Sequence, residues 1–300
     1  VSRAAEPHPD NLRPDPDAEV DDAAVTRRTA VRWHRRIPMS LSPETADRMA
    51  AALYEARRTR VPIAPLVEEE PGMTLEDGYA VQQGIVRRYL EDGDRIVGYK
   101  LGLTSKPMQE MLGVDSPDFA PVMASHVIDD GAAIPASNYI EPKLEAELAL
   151  VLKHDLEGPD CTPLDVLRAT EGVVAAMELV DSRVANWKIK LPDTVADMAS
   201  SGSIVLSGRI VPIDEVDLRL LGMVFTRDGE VIATGAGAAA LGNPAAAVAF
   251  LVRTLHGLGD SLKAGSIVMT GALHAAVPIA AGETYRAEFD RIGPVTARIV

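Results

Sequence analysis

Two glutamates stand two positions apart in an otherwise apolar run, "PKLEAELALVL" (142–152): Glu145 and Glu147. The run alternates like a β-strand, in which side chains two apart point to one face. Ionised carboxylates side by side on a buried face repel each other, and taking each out of water is costly. Either one takes a proton, or a cation neutralises both, or the face is wet, as on an edge strand with Lys143 as counter-charge. A second apolar run, "GVVAAMELVDSR" (172–183), is broken by Glu178 and followed by Asp181 and Arg183. Three glutamates in such settings suggest an all-oxygen site, which favours Mg2+, Mn2+ or Ca2+ over Zn2+. Mg2+ takes an octahedron of oxygens, so three glutamates leave room for a two-pronged ligand, such as a 2-oxo acid, and a water. Lys100, in "VGYKLGLTS", lies among apolar and glycine residues. Buried, it would serve as acid or base, or stay charged beside acids; otherwise it lays its stem along the surface.

These residues need elements to hold them. "LSPETADRMAAALYEARRTR" opens a helix, with Ser42 as cap, Pro43 at its first position and an apolar stripe of Ala46, Met49, Ala50 and Leu53. A second helix starts at Thr74, turns Leu75, Tyr79, Val86 and Tyr89 inward, and ends at Gly93. A strand over 95–103 and a short helix around "KPMQEML", closed by Gly113, come next. Further strands are expected near 144–152, 173–180, 203–207, 220–226, 266–270, 283–289 and 295–300, the last two as a hairpin around "RIGP". Asn243 and Pro244 open one more helix, with Gly257 beyond its end. Many strands and few long helices predict an α+β fold with a mostly antiparallel sheet system. The expected organisation is a disordered tail over 1–40, a helical portion over 41–94 and a β-rich catalytic domain over 95–300.

Composition narrows the function. Acids outnumber bases by 44 to 30, a net charge of −14, which disfavours nucleic acid or an anionic membrane as partner. No run reaches the roughly 20 apolar residues of a membrane helix, and a cytoplasmic location is expected. The single cysteine, Cys161, excludes an internal disulfide, and the six histidines show no zinc-binding spacing. Neither a dinucleotide fingerprint nor a P-loop is present, since "GAGAAALG" (235–242) has the spacing of neither.

The blocks "VGYKLGLTSKPMQEMLGVDSPDFAPVM", "EPKLEAELALVL", "ELVDSRVANWKIKLPDTVADMASSGSIVL" and "LGNPAAAVAFLVRTL…GSIVMTGAL" resemble, in order, the hydratase/decarboxylase branch of the fumarylacetoacetate hydrolase superfamily. That resemblance implies a mixed β-sandwich roll with an N-terminal helical portion. It further implies Mg2+ or Mn2+ on Glu145, Glu147 and Glu178, Lys100 as acid/base residue, and Asp118 and Ser200 in the active site. Leu112, Thr270 and Gly271 would line the substrate pocket. The implied substrate is a 2-oxo or 2-hydroxydienoic acid, and the implied assembly a homo-oligomer, with room for a complex with another enzyme of its pathway. The expected reaction is hydration of 2-hydroxypenta-2,4-dienoate or a close homologue to a 4-hydroxy-2-oxo acid in aromatic meta-cleavage catabolism. The nearest rival is 4-oxalocrotonate decarboxylase, which would pass through the same enolate and need a cation for its second carboxylate, from among Lys106, Arg183, Lys188 and Lys190. A C–C bond hydrolase would need a His–Glu pair, and no histidine lies next to the acids. Two departures motivate a further rival, a weakly active partner subunit: Met198 stands where the family commonly has Asn, and Ala120 where it commonly has Gly.

Overall fold

The computed structural model describes residues 40–300 apart from 107, 108, 111 and 112. The tail expected over 1–40 therefore falls, all but its last residue, outside the described residues, as does Leu112.

The described residues open with three helices: α1 (Pro43–Thr59), α2 (Leu66–Glu69) and α3 (Leu75–Glu91). Ser42 accepts from the Thr45 N–H to cap α1, whose Pro43 needs no donor of its own. Thr74 and Asp77 form a reciprocal capping box on α3, and Asp77 also accepts from the backbone of Ser40 and Leu41. These bonds hold the Asp77 carboxyl down at about 2 despite its burial. The facing stripes of α1 and α3 form an apolar cluster that also takes in Ala120, Ala196, Met198 and Ala199, which are parts of the β-rich region.

The strands are β1 (Ile96–Gly102), β2 (Asp118–Met123), β3 (Val127–Asp129), β4 (Ala133–Ile134) and β5 (Lys143–Leu152). After α4 (Pro163–Ala169) come β6 (Thr170–Val180), α5 (Leu191–Ala196), β7 (Ser201–Leu206), β8 (Val211–Pro212), β9 (Gly222–Arg227) and β10 (Glu230–Ala236). The chain ends with α6 (Pro244–Gly257), β11 (Ile267–Met269), β12 (Val277–Pro278), β13 (Thr284–Phe289) and β14 (Gly293–Ile299). Every strand expected from the sequence has a counterpart here. Most ladders are antiparallel, but β1–β11, β3–β7 and β4–β14 are parallel.

Among the described residues the strands make two sheets. The larger runs β2-β1-β11-β5-β6-β7-β3, with β12 and β8 on β5 and β6; the smaller runs β10-β9-β13-β14-β4. The alternation of β5 divides its residues cleanly. Leu144, Ala146, Leu148, Leu150 and Leu152 enter the main core with Val173, Ala175, Met177 and Leu179 of β6, with Phe225, Tyr285 and Ala287 of the smaller sheet, and with α6. Glu145, Glu147 and Ala149 take the other face. The stretch Gly237–Gly257 is long and apolar enough by composition to span a membrane, unlike the sequence reading of that region. Its helical part α6 has only 14 residues, and Ala247, Val248, Leu251, Val252 and Leu255 are spent on the core.

Candidate active site

The register of the β5–β6 ladder decides what the glutamates do. Glu145 pairs directly with Glu178, and Glu147 follows two residues along on the same face. One carboxylate oxygen from each lies within 4.8 Å of the others. Glu147 and Glu178 are fully buried, and Glu145 partly so. β5 lies between β11 and β6, so the edge-strand alternative fails, and Lys143 instead sits over the Trp187 ring at 4.1 Å. Both oxygens of Glu178 and one of Glu147 are buried without a hydrogen-bond donor. Burial first, and the Glu178 charge second, push the Glu145 carboxyl up to about 7 and that of Glu147 well above the usual range. Burial likewise raises Glu178, against the pull of Lys100. Orphaned, crowded oxygens of this kind fit a hard divalent cation, which would satisfy all three side chains at once.

The loop after β11 fixes one of them. The Gly271 N–H donates to Glu147 Oε2 at 2.9 Å. Gly271 has φ 108, and a Cβ there would run into Thr104, so only glycine can present that N–H. Thr270 is buried, and its hydroxyl donates to the Leu148 carbonyl at 2.9 Å, which ties the same loop to β5.

Lys100 stands on β1, reached through β11: it pairs with Met269, which in turn pairs with Ala149 of β5. Its Nζ lies 3.2 Å from Glu178 Oε2, an ion pair not aligned as a hydrogen bond, and donates to the Ala199 carbonyl at 3.0 Å. Burial opposes its charge, but Glu178, Asp118, Glu147 and Glu145 together hold the ammonium protonated, above its ordinary value. The buried alternative for Lys100 is therefore the one realised. Asp118, on β2 opposite Gly102, is buried with Oδ1 lacking a donor, and burial raises its carboxyl. Gly102 keeps the space open: a Cβ there would come within 2.2 Å of Asp118 Oδ1 and 3.4 Å of Lys100 Nζ. Ala120 faces Lys100 across the ladder, fully buried.

Ser200 closes an unusual turn. Met198, Ala199 and Ser200 have φ of 55, 51 and 53, three consecutive non-glycine residues in the left-handed region. Each such residue costs roughly 1–2 kcal/mol, so the surroundings must impose the turn. The Ser200 hydroxyl hydrogen-bonds Thr194 Oγ1 at 3.1 Å, and the Ser200 carbonyl accepts from the Asp181 N–H at 2.9 Å. Met198 packs into the cluster shared with α1 and α3. At this φ the asparagine that the resemblance leads one to expect at 198 would be less strained than methionine.

The structure thus brings together Lys100, Asp118, Glu145, Glu147 and Glu178, with Ser200, Thr270 and Gly271 on the loops that frame them. It also shows residues that sequence reasoning passed over. Gln82 is buried on α3 and donates to the carbonyls of Phe119 and Val195, joining the helices to the segments before Ala120 and the turn. Its signal was a polar residue at the inward spacing set by Leu75, Tyr79, Val86 and Tyr89. His274 accepts from the Ala146 N–H at 2.9 Å, between the two glutamates of β5, while its Nδ1 faces the Ala275 carbonyl at 2.7 Å. The Nδ1–H tautomer alone meets both demands. Nothing in the local sequence marks that role.

The profile of the fumarylacetoacetate (FAA) hydrolase C-terminal family matches residues 86–300. A 2-keto-4-pentenoate hydratase of Burkholderia vietnamiensis (strain G4) is 45% identical over 249 residues, 83% of this chain and 95% of that protein. A 2-hydroxyhexa-2,4-dienoate hydratase of Comamonas testosteroni is 42% identical over 80% of this chain and 92% of that protein. Among solved structures, 4-oxalocrotonate decarboxylase from Pseudomonas putida G7, complexed with magnesium and adipate, superposes with a TM-score of 0.86 at 38% identity, covering 88% of this chain and 100% of that one. The α+β fold of this chain, with N-terminal helices and mixed sheets, is the one expected from the sequence. With its three-acid cluster and lysine set in that fold, the chain belongs to the fumarylacetoacetate hydrolase family.

Proposed function

We propose that this protein is a divalent-metal-dependent hydratase of 2-hydroxypenta-2,4-dienoate or a close homologue, giving a 4-hydroxy-2-oxo acid. The observation that carries the reading is the convergence of Glu145, Glu147 and Glu178, with orphaned buried oxygens, on a protonated Lys100. Relatives at 42–45% identity bear the hydratase name, and the adipate complex of the decarboxylase carries magnesium in the same fold. A Mg2+ or Mn2+ ion held by the three glutamates would supply Lewis-acid stabilisation of negative charge on the substrate's C2 oxygen.

The chain's own groups do the rest. The dienol must lose its hydroxyl proton and gain one at its far carbon; water must then add across C3–C4, its hydroxyl going to C4 and a proton to C3. Lys100 Nζ is a buried, charged donor, kept in place by the Ala199 carbonyl, and can hand over and recover a proton. Asp118, with a free acceptor oxygen in the room left by Gly102, can orient the incoming water and take its proton. Ser200 follows Ala199, whose carbonyl holds Lys100, and its hydroxyl is fixed by Thr194, so it is a candidate to position a water or a hydroxyl proton.

The decarboxylase is the second reading, favoured by the 0.86 superposition. Its substrate carries a further carboxylate that needs a cation. Arg183 is buried but committed to Asp197 and to backbone carbonyls, and Lys106, Lys188 and Lys190 are exposed. Among the described residues no buried cation near the acids remains besides Lys100, which favours a monoacid. Purified protein mixed separately with 2-hydroxypenta-2,4-dienoate and 2-oxo-3-hexenedioate, with Mg2+ or with EDTA, tests both. Metal-dependent loss of dienol absorbance without CO2 supports hydration; CO2 release from the diacid would replace it with decarboxylation.

A further inference from the structure

The left-handed turn at 198–200 is gripped at both ends by two arginines that make no hydrogen bond or ion pair to Glu145, Glu147, Glu178 or Asp118. Arg183 donates to the Asp197 carboxylate through its backbone N–H and Nε, to the Asp197 carbonyl through Nη2, and to the Asp181 and Ser201 carbonyls through Nη1. Arg57, arriving from α1, donates to the Ser201 carbonyl at 3.0 Å and to the Gly202 carbonyl. The two guanidinium groups share the Ser201 carbonyl, and the Arg183 charge weighs against that of Arg57. Among the described residues Arg57 has no carboxylate within ion-pair distance. A cation drawn into the interior beside a like charge and given only backbone oxygens is an expensive anchor for a helix. It is well suited to forcing carbonyls into an arrangement that the backbone would not choose. The carbonyl at the centre of that arrangement, on Ala199, is the one that accepts from Lys100.

We propose that Arg57 and Arg183 form a clamp that imposes the left-handed turn, so that Arg57 of the N-terminal helical layer is a positioning residue for Lys100 and Ser200. The proposal rests on the hydratase reading for its kinetic consequence but not for its geometric one. Replacing Arg57 by methionine keeps the stem and removes every donor. A relaxed turn withdraws the Ala199 carbonyl and misplaces Lys100, while the three glutamates keep their places on β5 and β6.

The experiment has two arms. With the dienol, Arg57→Met is expected to lower kcat at least tenfold with KM and Mg2+ affinity within about threefold of wild type. The second substitution Ala199→Gly, which lets that position adopt φ 51 without strain, should raise kcat of the Arg57→Met protein several-fold, to the level of Ala199→Gly alone. A helix anchor acting only through stability would show no such rescue. Unchanged kcat in Arg57→Met, or a loss that glycine does not restore, overturns the clamp. In the other arm, the 13C-labelled Ala199 methyl resonance, assigned by its disappearance in Ala199→Gly, should shift or broaden in Arg57→Met; an unmoved signal overturns the proposal even if wild type turns over no dienol. Should Arg57→Met fail to fold, Arg57→Lys, with one short-range donor left, is read in the same two ways. Inactivity of the wild type alone would count against the hydratase reading and leave the methyl arm to decide the clamp.

Discussion

Each charged group at this site is explicable only through its neighbours. Lys100 stays protonated because four acids surround it, and the acids tolerate one another because a cation, Lys100 or a metal, stands among them. The two functions should separate by mutation. Lys100→Met removes the proton donor but no carboxylate, so Mg2+ affinity, measured by calorimetry, should change by less than about threefold while kcat falls about 100-fold or more. Glu178→Gln should instead abolish measurable Mg2+ binding, and turnover with it. If Lys100→Met instead turned over at the wild-type rate, the lysine would have no part in the chemistry. Gly102→Ala asks about space rather than charge. Its methyl would occupy the room of Asp118 Oδ1, so kcat should drop about 10- to 100-fold with the fold retained by circular dichroism.

At the level of elements, the β5–β6 ladder turns two separate sequence oddities into one site. The alternation of "PKLEAELALVL" was enough to place Glu145 and Glu147 on a common face, and a strand around Glu178 was equally legible. Their register, Glu145 opposite Glu178, was not, because it depends on pairing between segments about 30 residues apart that no local pattern specifies. Lys100 was legible as an oddity in an apolar strand, yet its route to the acids runs through β11, a short strand some 170 residues downstream, paired in parallel. The short strands β3, β4, β8 and β12 were illegible, since two or three residues carry no period. The left-handed turn was hidden too: "MAS" contains no glycine or asparagine to announce it. The loop after β11 offers its own test. Gly271→Ala should force the loop away from Thr104 and displace the N–H that fixes Glu147, lowering Mg2+ affinity by roughly tenfold in titration while β5 and β6 remain paired. Full affinity in that variant would mean that the loop does not hold the ligand.

For the molecule as a whole, the crowded carboxylates couple folding to metal and pH. The Glu145 carboxyl rises from its unfolded range to about 7. The metal-free fold therefore binds a proton that the unfolded chain has released, and this contribution to stability is lost as pH climbs through that window. A cation needs the deprotonated form, so its stabilising effect should grow over the same interval. His126 and His274, held neutral by burial, pull the other way below about 6.5, so the difference between protein in Mg2+ and protein in EDTA carries the test. By calorimetry that difference in Tm should be larger at pH 8 than at pH 5.5. A constant or shrinking difference would show that the acids are not the coupling site. The helices contribute at this scale as well: the cluster shared by α1, α3, Ala120 and the turn packs the N-terminal helices against the strand and the turn that flank Lys100.

The strict division of β5, leucines toward one side and glutamates toward the other, bears on how the chain finds its alignment during folding. Sliding this strand by one residue along β6 would thrust both acids among Met177, Phe225 and Tyr285 and leave leucines where a cation should sit. Such a slipped sheet is penalised twice over. The same side chains that burden the finished protein therefore help to guard it against mispairing while it assembles.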